Sequence, residues 1–149
     1  MSDTGISGKI EILLVEDNPG DVVLFSEALD EMDVQTHLNI VEDGEAALSF
    51  LLHHEPFQYA PRPHLIILDL NLPRLNGREV LQAIRENPLL NHIPVIILTT
   101  SKSEKDMLEA YRLHANSYTV KPVDLQNFMK VLKDLIYYWL YIARLPINI

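Results

Sequence analysis

The chain has 149 residues, 48% hydrophobic and 22% charged, enough for one domain with a proper core and too few for two. It has no cysteine, which excludes disulfides, thiol catalysis and zinc-thiolate sites, and its formal net charge of −9, with twelve scattered Lys and Arg, argues against nucleic acid, whose phosphates need a basic face. No run approaches the roughly 18 uninterrupted apolar residues of a membrane span, and Met1 to Gly8 lacks the basic start and apolar stretch of an export signal, so a flexible amino terminus over 1–8 and a cytoplasmic location are expected.

Lys9 to Val15 (KIEILLV) reads as the first strand and runs directly into Glu16-Asp17-Asn18-Pro19-Gly20-Asp21. Pro19 suits the first turn of a helix and Asn18 its cap, and Val22, Leu24, Phe25, Ala28, Leu29 and Met32 follow at helical spacing, so a helix is expected to end near Asp33. Thr36 to Val41 is a second short strand, and Asp43-Gly44 leads into an amphipathic helix through Leu52. His53 to Pro63 has no period, three prolines, and Phe57 and Tyr59. At eleven residues it exceeds the usual connection of about two to six; a self-packed surface loop is favoured over a partner surface.

Leu65-Ile66-Ile67-Leu68 is an unbroken apolar run, the pattern of a strand covered on both faces, and it stops abruptly at Asp69. Asn76-Gly77 closes the loop that follows, and Arg78 to Glu86 is a helix ended by Asn87-Pro88. Val95 to Leu98 is a second apolar run and ends in Thr99-Thr100-Ser101. Ser103 caps a fourth helix expected to reach His114, Ser117 to Val120 is a fifth strand followed by Lys121-Pro122, and a final helix is expected from Asp124 to about Arg144.

Five βα units in strict alternation imply a doubly wound α/β fold with a five-stranded parallel sheet, helices on both faces and strand order 2-1-3-4-5. In such sheets ligands bind outside the carboxyl ends of the strands, at the switch point between the first and third strands, where Glu16, Asp17 and Asp69 converge. Three carboxylates there repel by roughly 4 kcal/mol per pair at about 4 Å with an effective dielectric near 20. A hard divalent cation such as Mg²⁺ would neutralise them, and Lys121 is the nearest candidate side-chain cation. A carboxylate can also act as nucleophile towards a phosphoryl group, a transfer that depends on in-line positioning and neutralisation of the phosphoryl oxygens. Asp69 would be the nucleophile, a metal on Asp17 and Asp69 would take one oxygen, Thr99 a second and Lys121 a third.

With Glu16-Asp17, Asp69, Thr99 and Lys121-Pro122 at four strand ends, and with the wording LLVEDNPGD, VEDGEAAL, LIILDLNLPRLNGREVL, IPVIILTTS and SYTVKP, the sequence closely resembles the receiver domain of two-component response regulators over about residues 9–135. The resemblance implies a flavodoxin-like, CheY-like fold and a phosphoryl group passed from a sensor histidine kinase to Asp69. It further implies Mg²⁺, with Mn²⁺ able to replace it, on Asp17, Asp69 and the backbone carbonyl of Asn71, with Glu16 behind them. Thr99 and Tyr118 match the family's switch pair, Lys121 its phosphate-binding lysine, and a cis bond is expected before Pro122. The loop with Pro56, Phe57, Tyr59 and Pro63, the LHANSYTVKP wording and the tail WLYIARLP resemble the small regulators paired with cyanobacterial phytochromes, which carry no output domain, act by binding other proteins and tend to dimerise through the fourth helix, fifth strand and fifth helix.

Two rivals share parts of this pattern. A haloacid-dehalogenase-type phosphatase needs a second Asp two residues after the nucleophile, where this chain has Asn71. A flavodoxin-like electron carrier grips phosphate with a neutral loop after the first strand, where this chain is acidic. The protein is thus expected to be a phosphoacceptor rather than an enzyme, and its six histidines, which form no spaced ligand set, to be surface residues.

In the final helix, Phe128, Leu132, Leu135, Trp139 and Ile142 suffice to cover the sheet. Val131, Tyr138, Tyr141 and Leu145, with Tyr137 nearby, are left over on a helix about 30 Å long at 1.5 Å per residue. Aromatic groups in a row mark interfaces, so a homodimer contact including Tyr138, Tyr141 and Leu145 is expected.

Overall fold

The structure, a computed structural model, describes residues 9–146; the expectation of a flexible stretch over 1–8 lies outside the described residues. The strands are β1 (Ile10–Val15), β2 (Thr36–Val41), β3 (Leu65–Leu68), β4 (Val95–Thr99) and β5 (Ser117–Val120). Between and after them run α1 (Pro19–Asp30), α2 (Gly44–Leu51), α3 (Gly77–Glu86), α4 (Glu104–Arg112) and α5 (Leu125–Tyr137). All strands pair in parallel in the order β2-β1-β3-β4-β5, as the alternation of units requires.

Side-chain alternation along the central strands builds two cores. Ile10, Ile12, Leu14, Leu65, Ile67, Ile96 and Leu98 face α1 and α5, meeting Phe25, Ala28, Leu29, Phe128, Leu132 and Ile136. Leu13, Val15, Ile66, Leu68, Val95 and Ile97 face the other way, onto Ala47, Phe50, Leu51, Val80, Leu81, Ile84 and Ala110. Because β3 and β4 are buried on both faces, they show no polar alternation.

The helices begin where side chains cap them. Asn18, Asp43, Asn76, Ser103 and Asp124 each accept a backbone N–H of the first turn, and Asn76 with Glu79 forms a reciprocal capping box. Each cap contributes about 1 kcal/mol. The helix ends are less legible. α1 stops at Asp30, three residues before Asp33, because the Met32 N–H bonds back to the Leu29 carbonyl in a tight turn. α4 stops at Arg112, because His114 lies in the left-handed region at φ 66°, which no helix continues through.

The largest departure is in α5. It is not one regular helix to Arg144: the α form ends at Tyr137 and a π-helical turn, Tyr138–Ile142, follows, closed by the Ala143 N–H on the Tyr138 carbonyl at 2.7 Å. The inward face is therefore Phe128, Leu132, Ile136 and Leu140, with Leu135 and Trp139 flanking it, while Ile142 is 58% exposed. Residues 135–142 are apolar nearly all round, so helical spacing is satisfied by two different faces and cannot choose between them.

The 53–63 loop packs on its own domain as expected. Phe57 lies 5.5 Å from Phe50, ring centre to ring centre, Ala60 packs against the same core and Pro63 is buried. Pro56 is exposed, and Tyr59 stands furthest out, 93% exposed. Among the described residues no helix is long and apolar enough to cross a membrane.

Candidate functional site

The rim at the carboxyl ends of the strands is fixed by backbone bonds that carry the ladder one residue past each strand. The Glu16 N–H bonds the Val41 carbonyl, Asp69 N–H that of Val15, and Lys121 N–H that of Thr99, at 3.0, 3.2 and 2.7 Å. These bonds place Glu16, Asp69, Thr99 and Lys121 side by side. They are also the four buried polar or charged residues among the described ones, so the polar groups of the interior are gathered at this single place.

Lys121 is its centre. Its Nζ donates to Glu16 Oε1 at 2.6 Å, to Asp21 Oδ2 at 2.8 Å and to Asp69 Oδ2 at 2.9 Å. The remaining carboxylate oxygens are held by backbone: Glu16 Oε2 accepts the Asn18 N–H and Asp69 Oδ1 the Asn71 N–H, both at 3.1 Å. Asp17 is exposed, and one oxygen from each of Glu16, Asp17 and Asp69 lies within 4.8 Å of the others. Asn71, whose carbonyl is an expected metal ligand, is exposed two residues beyond Asp69.

Burial drives the Glu16 carboxyl up to about 7, with Asp69 adding repulsion and the Lys121 hydrogen bond and charge pulling it back down. Burial would lower Lys121, but its hydrogen bonds to Asp21, Glu16 and Asp69 outweigh that effect and hold the ammonium above its ordinary value. It is charged at any physiological pH. One ammonium against four carboxylates leaves the rim net negative, and all donors facing it are hard oxygens. That is the donor set a Mg²⁺ or Mn²⁺ ion takes, so the residues present fit the cation they suggest.

Asp69 is followed by a tight return. The Gly77 N–H bonds the Leu70 carbonyl at 2.9 Å, and a Cβ on Gly77 would overlap the Asp69 carbonyl oxygen and stand 2.6 Å from the Leu70 Cα. Only glycine lets α3 start this close to the end of β3. The required glycine also fixes where the Asp69 backbone ends up.

Thr99 and Tyr118 are linked through Ser101. Thr99 Oγ1 accepts the Ser101 N–H at 3.3 Å, and the Tyr118 hydroxyl donates to the Ser101 carbonyl at 3.0 Å, its ring half-buried against the α2–α4 side of the core. The expected cis bond before Pro122 is not formed: among the described residues the cis bond is Glu55–Pro56. Lys121 makes its contacts through its own N–H and Nζ, neither of which depends on the peptide bond that follows.

Sequence reasoning missed Asp21. It was visible only as one acid in the turn after β1; it is the acid in the first turn of α1, and only the fold brings Lys121 to it. It also missed His64, which is half-buried rather than a surface residue: its Nδ1 accepts the Glu11 N–H at 2.9 Å and its own N–H bonds the Glu11 carbonyl at 2.8 Å.

Of the expected dimer residues, Tyr138 and Tyr141 are exposed but Leu145 is not free. It packs against the α1–α5 core, because the chain turns to extended backbone at Ala143 and brings it back. The Tyr141 hydroxyl accepts the Asp33 N–H at 2.8 Å, and its ring stacks on Tyr137 at 5.0 Å.

Residues 12–133 match the family described as the response regulator receiver domain. The chain belongs to the response regulator receiver family. This receiver is 43% identical over 146 residues to the response regulator Rcp1 of a Synechocystis species, covering 98% of this chain and 99% of that one. Its fold is similar to that of the Mn²⁺-bound form of Rcp1, with TM-score 0.91 at 43% identity over 93% of this chain and 99% of that one. It is equally similar to the phosphorylated cyanobacterial phytochrome response regulator RcpA, with TM-score 0.91 at 41% identity over 94% and 100%.

Proposed function

We propose that this receiver accepts a phosphoryl group on Asp69 from a sensor histidine kinase of the phytochrome type and signals by binding other proteins in the cytoplasm. The observation that carries the reading is the Lys121 ammonium, 2.9 Å from Asp69 Oδ2 in a buried rim that stays net negative.

In the transfer, an Asp69 carboxylate oxygen attacks phosphorus opposite the imidazole nitrogen. The P–O bond forms as the P–N bond breaks, and the imidazole leaves with the bonding pair, taking a proton from solvent. Lys121, already beside Asp69, faces the incoming phosphoryl oxygens and offsets their charge without moving far. Thr99 supplies a hydroxyl donor from the neighbouring strand end, and the Asn71 N–H holds Asp69 in place through Oδ1. Asp17, Asp69 and the Asn71 carbonyl, with Glu16 behind them, would hold Mg²⁺, or Mn²⁺ in its place, which when bound supplies further positive charge to the phosphoryl oxygens. After transfer, the Thr99 hydroxyl turning to the phosphoryl group frees Ser101, and with it Tyr118, whose hydroxyl rests on Ser101.

The same reading includes self-association. Tyr137, Tyr138 and Ile142 are each about half exposed along one side of α5 and its π-helical turn, and a second copy of this chain would cover them. Leu145 has no part in it, being committed to its own core.

Phosphotransfer from a purified phytochrome-type histidine kinase tests the main claim. Label should move to the chain in Mg²⁺ and stay on the kinase in EDTA. Failure of the chain to take label from such kinases and from a small phosphoramidate donor alike would contradict the reading.

A further inference from the structure

Ser101, two residues beyond Thr99, is bonded through each of its polar atoms. Its N–H goes to Thr99 Oγ1 at 3.3 Å and its carbonyl accepts from the Tyr118 hydroxyl at 3.0 Å. Its own hydroxyl donates to Asp106 Oδ2 at 2.6 Å and accepts the Ser103 N–H at 3.3 Å. Asp106, in the first turn of α4, is held in turn by α3: Arg78 Nη1 donates to its Oδ1 at 2.9 Å. A chain of contacts therefore leads from Arg78 and Asp106, through Ser101, to both Thr99 and Tyr118.

We propose that Asp106, gripped by Arg78, is a positioning residue that latches Ser101 and so holds Thr99 and Tyr118 in their unphosphorylated arrangement. The inference rests on Asp69 as phosphoryl acceptor and Thr99 as its sensor. For the Thr99 hydroxyl to rotate towards a group on Asp69, the Ser101 N–H must give up its acceptor and the turn over 101–103 must shift. That turn cannot shift freely while the Ser101 hydroxyl is on a carboxylate that a guanidinium fixes from the other side. Hydrogen bonds to charged groups are the stronger kind, and Asp106 offers one oxygen to each neighbour. The latch biases the switch against the phosphorylated arrangement, and because a donor that reacts with that arrangement meets only the fraction of chains populating it, the latch also slows phosphorylation.

Couplings of this kind run about 5–150-fold. With the Asp106 side chain 24% exposed and that of Arg78 36%, solvent screens the latch and the low end applies. Asp106→Asn and Arg78→Gln in the full chain should each take up label from phosphoramidate in Mg²⁺ about fivefold faster than wild type. In the unphosphorylated variants the Ser101 amide and Tyr118 ring resonances should move towards their positions in phosphorylated wild type. The double variant should be no faster than Asp106→Asn alone, since both changes open one latch. Arg78→Gln leaves the start of α4 intact, so an effect common to both variants does not arise from fraying of that helix. Unchanged or slower uptake with an unmoved Ser101 amide in both variants, beside normally labelled wild type, overturns the latch. Wild type that takes no label overturns the acceptor reading itself, and the latch with it.

Discussion

Lys121 Nζ lies 2.6 Å from Glu16 Oε1, which ties the end of β5 to the end of β1 across the whole site. The contact joins two buried groups, one of them a carboxyl raised to about 7 by its burial. A buried ion pair contributes little net stability, but removing one partner strands the other and costs about 3–5 kcal/mol. In metal-free buffer, Lys121→Ala should be destabilised by about that much at pH 8, where Glu16 is ionised. The loss should be smaller at pH 5, where Glu16 is protonated. The sign follows from the raised value: Glu16 favours the fold below its ordinary 4.5, and that contribution is lost as pH rises through about 7. Urea midpoints of the two proteins across this range check it, and curves that stay parallel would contradict it.

His64 gives the opposite pH dependence at a place far from the rim. Burial lowers it below its ordinary 6.5, with the Glu11 charge opposing, and its Nδ1 must be unprotonated to accept the Glu11 N–H. A lowered folded value means that its contribution is present above 6.5 and is lost as pH falls below it. His64→Gln should remove that acid-side loss, and NMR titration of wild type should place the His64 imidazole below its ordinary 6.5. A His64 imidazole that titrates at 6.5 or above would contradict the assignment.

The proposed self-association face differs from the one the sequence pattern suggests, because Leu145 packs on its own core while Tyr137, Tyr138 and Ile142 stand exposed. Tyr138→Asp combined with Ile142→Asp should give a folded monomer by sedimentation, because both side chains are exposed and neither contributes to the core. Wild-type protein that sediments as a monomer at high concentration, phosphorylated or not, would contradict the dimer.

These outcomes mark where the sequence was readable. The limits of β3 and β4 and the placing of Asp69 and Thr99 follow from unbroken apolar runs that stop sharply at a polar residue, a signal a buried strand cannot disguise, whereas Lys121 follows the mixed, half-buried β5 and is placed by the alternation of units. α5 was read wrongly beyond Tyr137 because Tyr138–Ile142 offers apolar residues on every side, and the extra residue of a π turn leaves no mark in such a stretch. Asp21 and Asp106 were passed over for a different reason. Each lies in the first turn of a helix, where an acid is unremarkable, and only the fold brings Lys121 and Ser101 to them.

The central claim, that Asp69 is the phosphoryl acceptor, is tested most directly by the intact mass of wild type and Asp69→Asn after exposure to phosphoramidate and Mg²⁺. Asn keeps the size of the side chain and its place beside Lys121 and the Asn71 N–H, but it has no carboxylate to attack phosphorus. Wild type should gain one phosphoryl group that is stable in acid and lost in base, and Asp69→Asn should gain none. Asp69→Asn carrying the same base-labile group to the same extent would contradict the account.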